Sequence, residues 1–588
     1  MTPEIRTRPT YEDLCRTTDP WVDIPPRYNL GKALTRDHVE AGRGGRVCLY
    51  WENSARQARR FTYQEMDEHS SRFASALATL GVRHGDRVLL RLPNLPEFYI
   101  AALGIAKLGA IFIPTSTQFR TAEIEYRLRD SGAVAAVSTT GLVREIEAAR
   151  EKAPVLKHVI VVDYPGADTN LAPTPPHPAL SPGGGEGFDV QPSPGDQKLS
   201  RDRHDFWRLI SDGKAAFTPA DTASDDVAFI AYTSGTTGDP KGVVHYHRYP
   251  ISYDSLIRWW HDYHDDDICA CPSELGWLLP VASTFLYAMR MGISIVLHHA
   301  VDGRFDPAAW LRLIEKYRIT NFVGTPTVYR MLAGCDRIAR ADLSSLRHGV
   351  SAGEPLPADT ISTVKERLGF VPLDGIGMSE CMVYCFNMVG EEPVPGSCGR
   401  PAPCCDIRLM DEDMNEVPVG TDGVLCLRRS THPGMMKEYW NKREQTAEIF
   451  RGEWYYSGDV LSRDEAGRYW FKGRSDDVIK ASGYRISPFE VEGCLLEHPA
   501  VLEAAAIGSP DELRGNVVKA FIVLREGFTA SDALARELQE WVKGRAAPYK
   551  YPRRIEFVTE MPKTTSGKVQ RRLLRAREIP LSSGESAG

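Results

Sequence analysis

None of the twelve cysteines forms a C-x-x-C pair, no apolar run is long enough to span a membrane, and the charge balance has no basic excess. The first absence removes the dithiol redox motif and the paired zinc ligands that this spacing supplies. Cys381 with Cys385, and His261 with His264 beside Asp265, Asp266 and Asp267, lack a second ligand pair at zinc spacing and read as packing and surface residues. The longest uncharged apolar stretch, LGWLLPVASTFLYAM over 275–289, ends at Arg290. It falls short of the ~20 residues a bilayer requires and reads as a buried helix. A net charge of −7 offers no bulk attraction for nucleic acid. The charged start MTPEIRTRPTYEDL carries no secretory signal, so the expected setting is reduced and cytoplasmic. A P-loop is missing as well. In YTSGTTGDPKGV, residues 232–243, Lys241 follows Pro240 and precedes Gly242, against the G-x-x-x-x-G-K-[ST] rule.

What is present is an ordinary globular composition, 42% apolar and 25% charged, in a chain of 588 residues that is too long for one core. Short β-rich runs alternate with helical patterns: RVLLRL, LPEFYIAALGIAKLG and AIFIPT, then AAVSTT, LVREIEAAREKA and HVIVVD, then ISIVLH, AAWLRLIEKYR and NFVGTP. The alternation predicts an α/β fold with mostly parallel sheets layered between helices. From about 397 shorter strands and turns predict a β-rich subdomain. The large N-terminal domain is thus expected over 1–473. A small mobile α+β C-terminal domain is expected over 474–578, its first part reading strand, helix, strand, with a disordered tail at 579–588. Fourteen of the thirty-one residues from Pro165 to Gly195 are Pro or Gly, which predicts a disordered surface insertion over 165–200.

Several stretches carry polar chemistry. Thr233, Ser234, Thr236 and Thr237 offer hydroxyls, Gly235 and Gly238 allow close backbone approach, and Lys241 adds charge. A phosphate cradle and a polar surface loop both fit that composition. SAGEPL (351–356) and DGIGMSE (374–380) follow apolar runs, which predicts loops at strand ends, where α/β sheets bind ligands. Glu380 is a hard oxygen ligand suited to Mg²⁺, and Ser379 can donate to a phosphate. YYSGDV supplies Asp459 for a pair of ribose hydroxyls, GRSDD supplies Arg474, and PKTTSGKVQR presents Lys568 on a glycine-containing turn.

In this order the motifs resemble those of the AMP-forming acyl- and aryl-CoA synthetases of the adenylate-forming superfamily, over about residues 30–575. SGYRISPFEVE, RGNVVKAFIVL and APYKYPRRIEFV are similar to medium-chain members, and LDGIGMSE to benzoate-CoA ligases. The resemblance implies an enzyme whose substrates are a small carboxylic acid, ATP and coenzyme A, with Mg²⁺. It implies that Thr233–Lys241 grips the ATP phosphates, that Gly353, Glu354 and Pro355 line the adenine, and that Asp374 takes its amino group, within a nucleotide-binding run that continues through Gly375, Ile376, Gly377 and Met378. Ser379 would contact the α-phosphate, Glu380 would hold Mg²⁺, Asp459 would bind the ribose with Arg474 beside the nucleotide, and Asp476 would be the hinge. Lys568 would bridge the acid carboxylate and the α-phosphate. Ser482, Gly483, Tyr484 and Arg485 would border the CoA tunnel, while Arg514, Lys543 and Arg553 would meet CoA phosphates. Met378 departs from the polar residue common at its position. Acetate-specific relatives close the acyl pocket with tryptophan at the place of Gly377. Glycine there, with Trp277 lining the same pocket, implies a medium-chain or aromatic acid; an aryl-specific or a short-chain enzyme is the alternative. The exposed charge of Lys568 further implies a lysine acetyltransferase as a regulatory partner.

Overall fold

The computed structural model describes residues 10–19, 21, 23–163, 203–233, 239–300, 303–353, 356–403, 405–475, 477, 479–481, 484–511, 515–546, 550–563 and 569–578. The insertion expected at 165–200 and the tail at 579–588 lie outside them. Two sheets form the bulk of the chain. One runs in the order Arg203–Asp205, His158–Val161, Ala135–Ser138, Arg87–Arg91, Ile111–Pro114, Val227–Tyr232 and Gly242–Tyr246. Its strands pair in parallel except for the last two. The second runs from Arg400–Pro401 through Val383–Phe386, Leu373–Gly377, His348–Ser351, Asn321–Gly324, Ile268–Ala270, Ser294–His299 and Val47–Asn53 to Ala58–Thr62. It is parallel at its centre and antiparallel at both edges.

Central strands such as VAFIAY are apolar without alternation because helices cover both faces of a parallel sheet. The helix Pro96–Lys107 is buried along its whole length. Its terminal Lys107 is fully buried and donates to Asp67 Oδ1 at 2.6 Å, to the Asp67 carbonyl at 2.9 Å, and to the hydroxyls of Ser70 and Ser71. That cluster ties the helix to Tyr63–Thr79. Burial is affordable for the ammonium because a carboxylate and hydroxyls replace its water. The stretch 275–289 is helical from Leu278, and it is buried from Pro280 onward, as its composition predicts. No described helix is long and apolar enough to cross a membrane.

Next comes an antiparallel sheet of Ile407–Met410, Gly423–Arg428, Trp454–Arg463, Phe450–Arg451 and Tyr469–Arg474. The change of texture expected at about 397 precedes it, but Arg400–Pro401 still belongs to the large sheet. After Arg474 the chain forms a hairpin, Ile479–Ala481 with Tyr484–Ile486, where one strand was expected. The helix Pro488–Leu496, the strands Val501–Asp511 and Gly515–Leu524, the helix Asp532–Arg545 and the strand Arg554–Phe557 follow around a core of their own.

Glu52 anchors one edge of the second sheet. Its fully buried carboxylate accepts from Arg312, Lys316 and Tyr317, three donors on the helix Pro307–Tyr317. Against the upward push of burial, the bonds from Lys316, Arg312 and Tyr317 hold its carboxyl below the usual carboxylate range. A depressed folded pKa means that the unfolded chain binds the proton more readily. The contribution of Glu52 is therefore complete above the ordinary glutamate pKa and is lost as pH falls through the folded value. Glu52→Ala should lower unfolding free energy at neutral pH by about 3 kcal/mol. Denaturant titrations should show the gap between variant and parent closing below pH 4.5, the ordinary glutamate value. A gap that persists undiminished at pH 3 would refute the ionic account.

Candidate active site

The carboxyl ends of strands from both large sheets converge on one cavity of about 760 Å³. Asn94 follows Arg87–Arg91, Gln118 follows Ile111–Pro114, and Thr233 follows Val227–Tyr232. From the other sheet come Glu274 and Trp277 after Ile268–Ala270, Thr325 after Asn321–Gly324, Gly353 after His348–Ser351, and Met378 and Ser379 after Leu373–Gly377. A crevice beyond strand ends is where open α/β sheets take ligands, because the loops there are not consumed by the sheet. One wall is apolar: Trp277, Leu278, Leu279 and Pro280 face the cavity together with Met382 and Val383. Trp277 is half-buried and meets Phe119 edge to face at 5.8 Å. Glu274 fixes the start of that wall, accepting from the Ser116 hydroxyl at 2.7 Å and from the Thr117 amide.

Asp374, Gly375, Ile376 and Gly377 form the strand itself rather than the loop expected there, and only Met378–Glu380 make the turn. The Asp374 side chain is buried, one of its oxygens has no hydrogen-bond partner, and burial raises its pKa well above the carboxylate range. A Cβ on Gly377 would lie 2.1 Å from the Met382 carbonyl oxygen. Gly377 also lines the cavity, so the closeness of Met382 adds a packing reason for glycine beside the pocket space expected of it. Gly353 holds a φ of +97°, which an L side chain would strain. Tyr455 donates to the Met378 sulfur at 3.1 Å, so Met378 is seated by a tyrosine at the position where a polar residue is common.

Asp459 and Arg474 are directly opposed in the antiparallel sheet and paired at 2.9 Å. Tyr384, from the large sheet, donates to the other Asp459 oxygen at 3.0 Å. Glu380 accepts from Tyr439 through Oε1 at 2.6 Å, and its backbone carbonyl accepts from the Met436 amide at 2.7 Å. Lys241 lies with Nζ 4.9 Å from the centroid of the Tyr439 ring. The Thr233 amide donates to the Lys241 carbonyl at 3.0 Å. Sequence reasoning missed these three tyrosines, since a partner 59, 75 or 77 residues away leaves no local signal.

No group of three or more His, Cys, Asp or Glu side chains suited to a metal occurs among the described residues. A single carboxylate with one oxygen engaged by a hydroxyl fits Mg²⁺, which is ordinarily held by one or two carboxylates plus substrate phosphates. Glu380 would hold it, and the ion would supply positive charge to the phosphates.

Ser234, Gly235, Thr236, Thr237, Gly238, Glu354, Pro355, Asp476, Ser482, Gly483, Arg514 and Lys568 lie outside the described residues, and Tyr484 and Arg485 are described in backbone only. Lys563 and Val569 bridge on either side of 564–568, and Lys563 lines the cavity. The C-terminal unit therefore reaches the same crevice. Lys543 and Arg553 converge on Tyr551, at 4.4 Å and 4.8 Å from its ring centroid, and neither lines the cavity.

The chain belongs to the AMP-binding enzymes, and within that adenylate-forming family to the acyl-CoA synthetases: the AMP-binding enzyme family matches residues 36–440 and the AMP-binding enzyme C-terminal domain matches 490–568. It is 35% identical to the uncharacterized acyl-CoA ligase YtcI of Bacillus subtilis (strain 168), over 96% of this chain and 98% of that one. It is 36% identical to an acetyl-coenzyme A synthetase of the same organism, over 93% and 90%. Among solved structures, the anthranilate CoA ligase AuaEII in complex with anthranoyl-AMP superposes with a TM-score of 0.80 at 31% identity, covering 95% of this chain and 98% of that one.

Tyr384 and Asp459 join the large sheet to the antiparallel one, which makes their coupling measurable. Tyr384→Phe and Asp459→Asn should each lower stability, and the double variant should lose less than the sum, with a coupling of about 1 kcal/mol in denaturant titrations. Strict additivity would show that the hydroxyl and the carboxylate act independently.

Proposed function

We propose that this enzyme joins a medium-chain or aromatic carboxylic acid to CoA in two steps at the one cavity. Its family uses ATP, Mg²⁺ and CoA. The observation that carries the choice of acid is the apolar wall of Trp277, Leu278, Leu279, Met382 and Val383 in the same cavity as Ser379. A carboxylate is a poor acyl donor because oxide would have to leave. An oxygen of the acid therefore attacks the α-phosphorus of ATP, pyrophosphate departs, and acyl-AMP forms. The CoA sulfur then attacks the acyl carbon, AMP departs, and the thiol proton passes to solvent. No general base is required in the first step, since the acid is ionised at neutral pH.

Two anions must meet in that step, so fixed positive charge stabilises the transition state more than the separated reactants. Lys568 supplies it, bridging the acid and the α-phosphate, and Ser379 donates to the same phosphate. Thr233 to Lys241 holds the β- and γ-phosphates. Asp374, with its orphaned buried oxygen, is suited to the adenine amino group. Asp459, with Arg474 beside it, takes the ribose hydroxyls; each of its oxygens already accepts one bond and has capacity for a second. The C-terminal unit then turns at Asp476, withdraws Lys568 and brings Gly483 to the crevice for the second step. Acetylation of Lys568 by a lysine acetyltransferase removes the charge on which the first step depends.

Pyrophosphate–ATP exchange across acetate, hexanoate, octanoate and benzoate tests the acid; acetate belongs in the panel because one relative is named for it. Hexanoate, octanoate or benzoate should give the highest kcat/KM. Preference for acetate would overturn the reading of the apolar wall, and benzoate alone would establish the aryl-specific alternative, which the likeness to the anthranilate ligase favours. Lys568→Ala should abolish acyl-AMP formation yet spare thioester formation from supplied acyl-AMP, as measured by separate assays of the two half-reactions. Equal loss of both would remove Lys568 from its role. Full exchange activity in enzyme shown by mass spectrometry to be acetylated at Lys568 would exclude the regulatory reading.

A further inference from the structure

We propose that Tyr439 is a positioning residue that holds Glu380 and Lys241 apart and in register for MgATP, an inference that rests on the function proposed above. Residues 437–440 are fixed along the strand Gly242–Tyr246. Val244 donates to the Glu438 carbonyl at 3.0 Å, Lys437 to the Val244 carbonyl at 2.8 Å, and Trp440 to the Gly242 carbonyl at 2.7 Å, while Tyr439 bridges Val243. The Trp440 indole adds a bond to the Asp130 carbonyl at 3.0 Å, and the Tyr439 amide donates to Thr446 Oγ1 at 3.0 Å. The phenol thus projects from a frame with little freedom, and it is 4% exposed.

Two groups of opposite charge depend on that phenol. Its hydroxyl donates to Glu380 at 2.6 Å, and its ring face lies 4.9 Å from Lys241 Nζ. The Met436 amide holds the Glu380 carbonyl, so one short segment grips both the backbone and the side chain of that residue. A neutral hydroxyl orients a carboxylate without cancelling its charge, and an aromatic face attracts an ammonium without neutralising it. With the ring removed, Lys241 and Glu380 can collapse into a direct ion pair, which withdraws both from the ligand.

Tyr439→Phe and Tyr439→Leu separate the two contacts. With Tyr439→Phe, the Mg²⁺ concentration giving half-maximal pyrophosphate–ATP exchange should rise about tenfold, as expected for one lost bond to a charged group, while KM for ATP stays within about twofold. Calorimetry should show the same loss in the Mg²⁺-dependent part of ATP binding, a readout that does not require turnover. Tyr439→Leu should also raise KM for ATP by about tenfold. In a Glu380→Gln background Tyr439→Phe should change the Mg²⁺ dependence no further. The proposal is overturned if Tyr439→Phe leaves the Mg²⁺ dependence of binding and exchange unchanged, or if both variants lose all ligand responses together with melting temperature. A wild-type protein without exchange on any acid would overturn the proposed function first, and is read in the parent alone.

Discussion

No side chain fits at position 377, and much of the site follows from that crowding. The strand Leu373–Gly377 runs against Val383–Phe386 so closely that a Cβ would strike the Met382 carbonyl, and the register shifts between Ile376 and Gly377. The chain reverses between Gly377 and Val383, with the Met378 amide bonded to the Cys381 carbonyl at 3.2 Å. The same pair of strands carries Asp374 on one side and Tyr384 on the other, and Tyr384 reaches Asp459 in the antiparallel sheet. One close approach thus sets the turn that bears Ser379 and Glu380, and orients the sheet that bears Asp459 and Arg474.

The layered architecture was legible because its signal is local. Unbroken apolar runs such as VAFIAY and amphipathic stretches such as AAWLRLIEKYR report burial within a few residues. The carriers of polar chemistry, Thr233, Ser379, Glu380 and Asp459, were legible by type and order, since hydroxyls, glycines and acids at strand ends are conspicuous. Their geometry was not. DGIG reads as a loop because glycine and aspartate are rare in strands, yet the closeness of Met382 demands glycine there and strand pairing absorbs the aspartate. Tertiary packing overrides propensity at that point, and the same crowding adds a constraint on Gly377 beyond its place in the cavity lining.

The tyrosines were invisible for a different reason. A tyrosine in an apolar stretch is ordinarily core, and nothing within KEYWNK or MVYCF distinguishes a ring that packs from a hydroxyl that reaches across sheets. Only the fold brings Tyr384 to Asp459, Tyr439 to Glu380 and Tyr455 to Met378. Glu52 belongs with them. Its partners stand 260 or more residues away, and an acid within the strand VCLYWEN reads as a surface residue until the helix Pro307–Tyr317 closes over it.

The choice of tyrosine as support has an electrostatic logic. A cavity meant for a polyanion must keep its cations for the ligand and its acids charged for a metal. If lysines or arginines oriented Glu380, each would spend its charge inside the protein and compete with Mg²⁺ for the carboxylate. Phenols avoid this. A phenol, with an ordinary pKa of about 10, is already a neutral donor at physiological pH, and burial moves Tyr384, Tyr439 and Tyr455 further in that direction. They fix direction and leave net charge untouched. Arg474 is the exception that marks the rule, since it pairs with Asp459 while its side chain stays 45% exposed. A guanidinium so placed orients the acid while also donating to the Ser457 carbonyl at 3.0 Å.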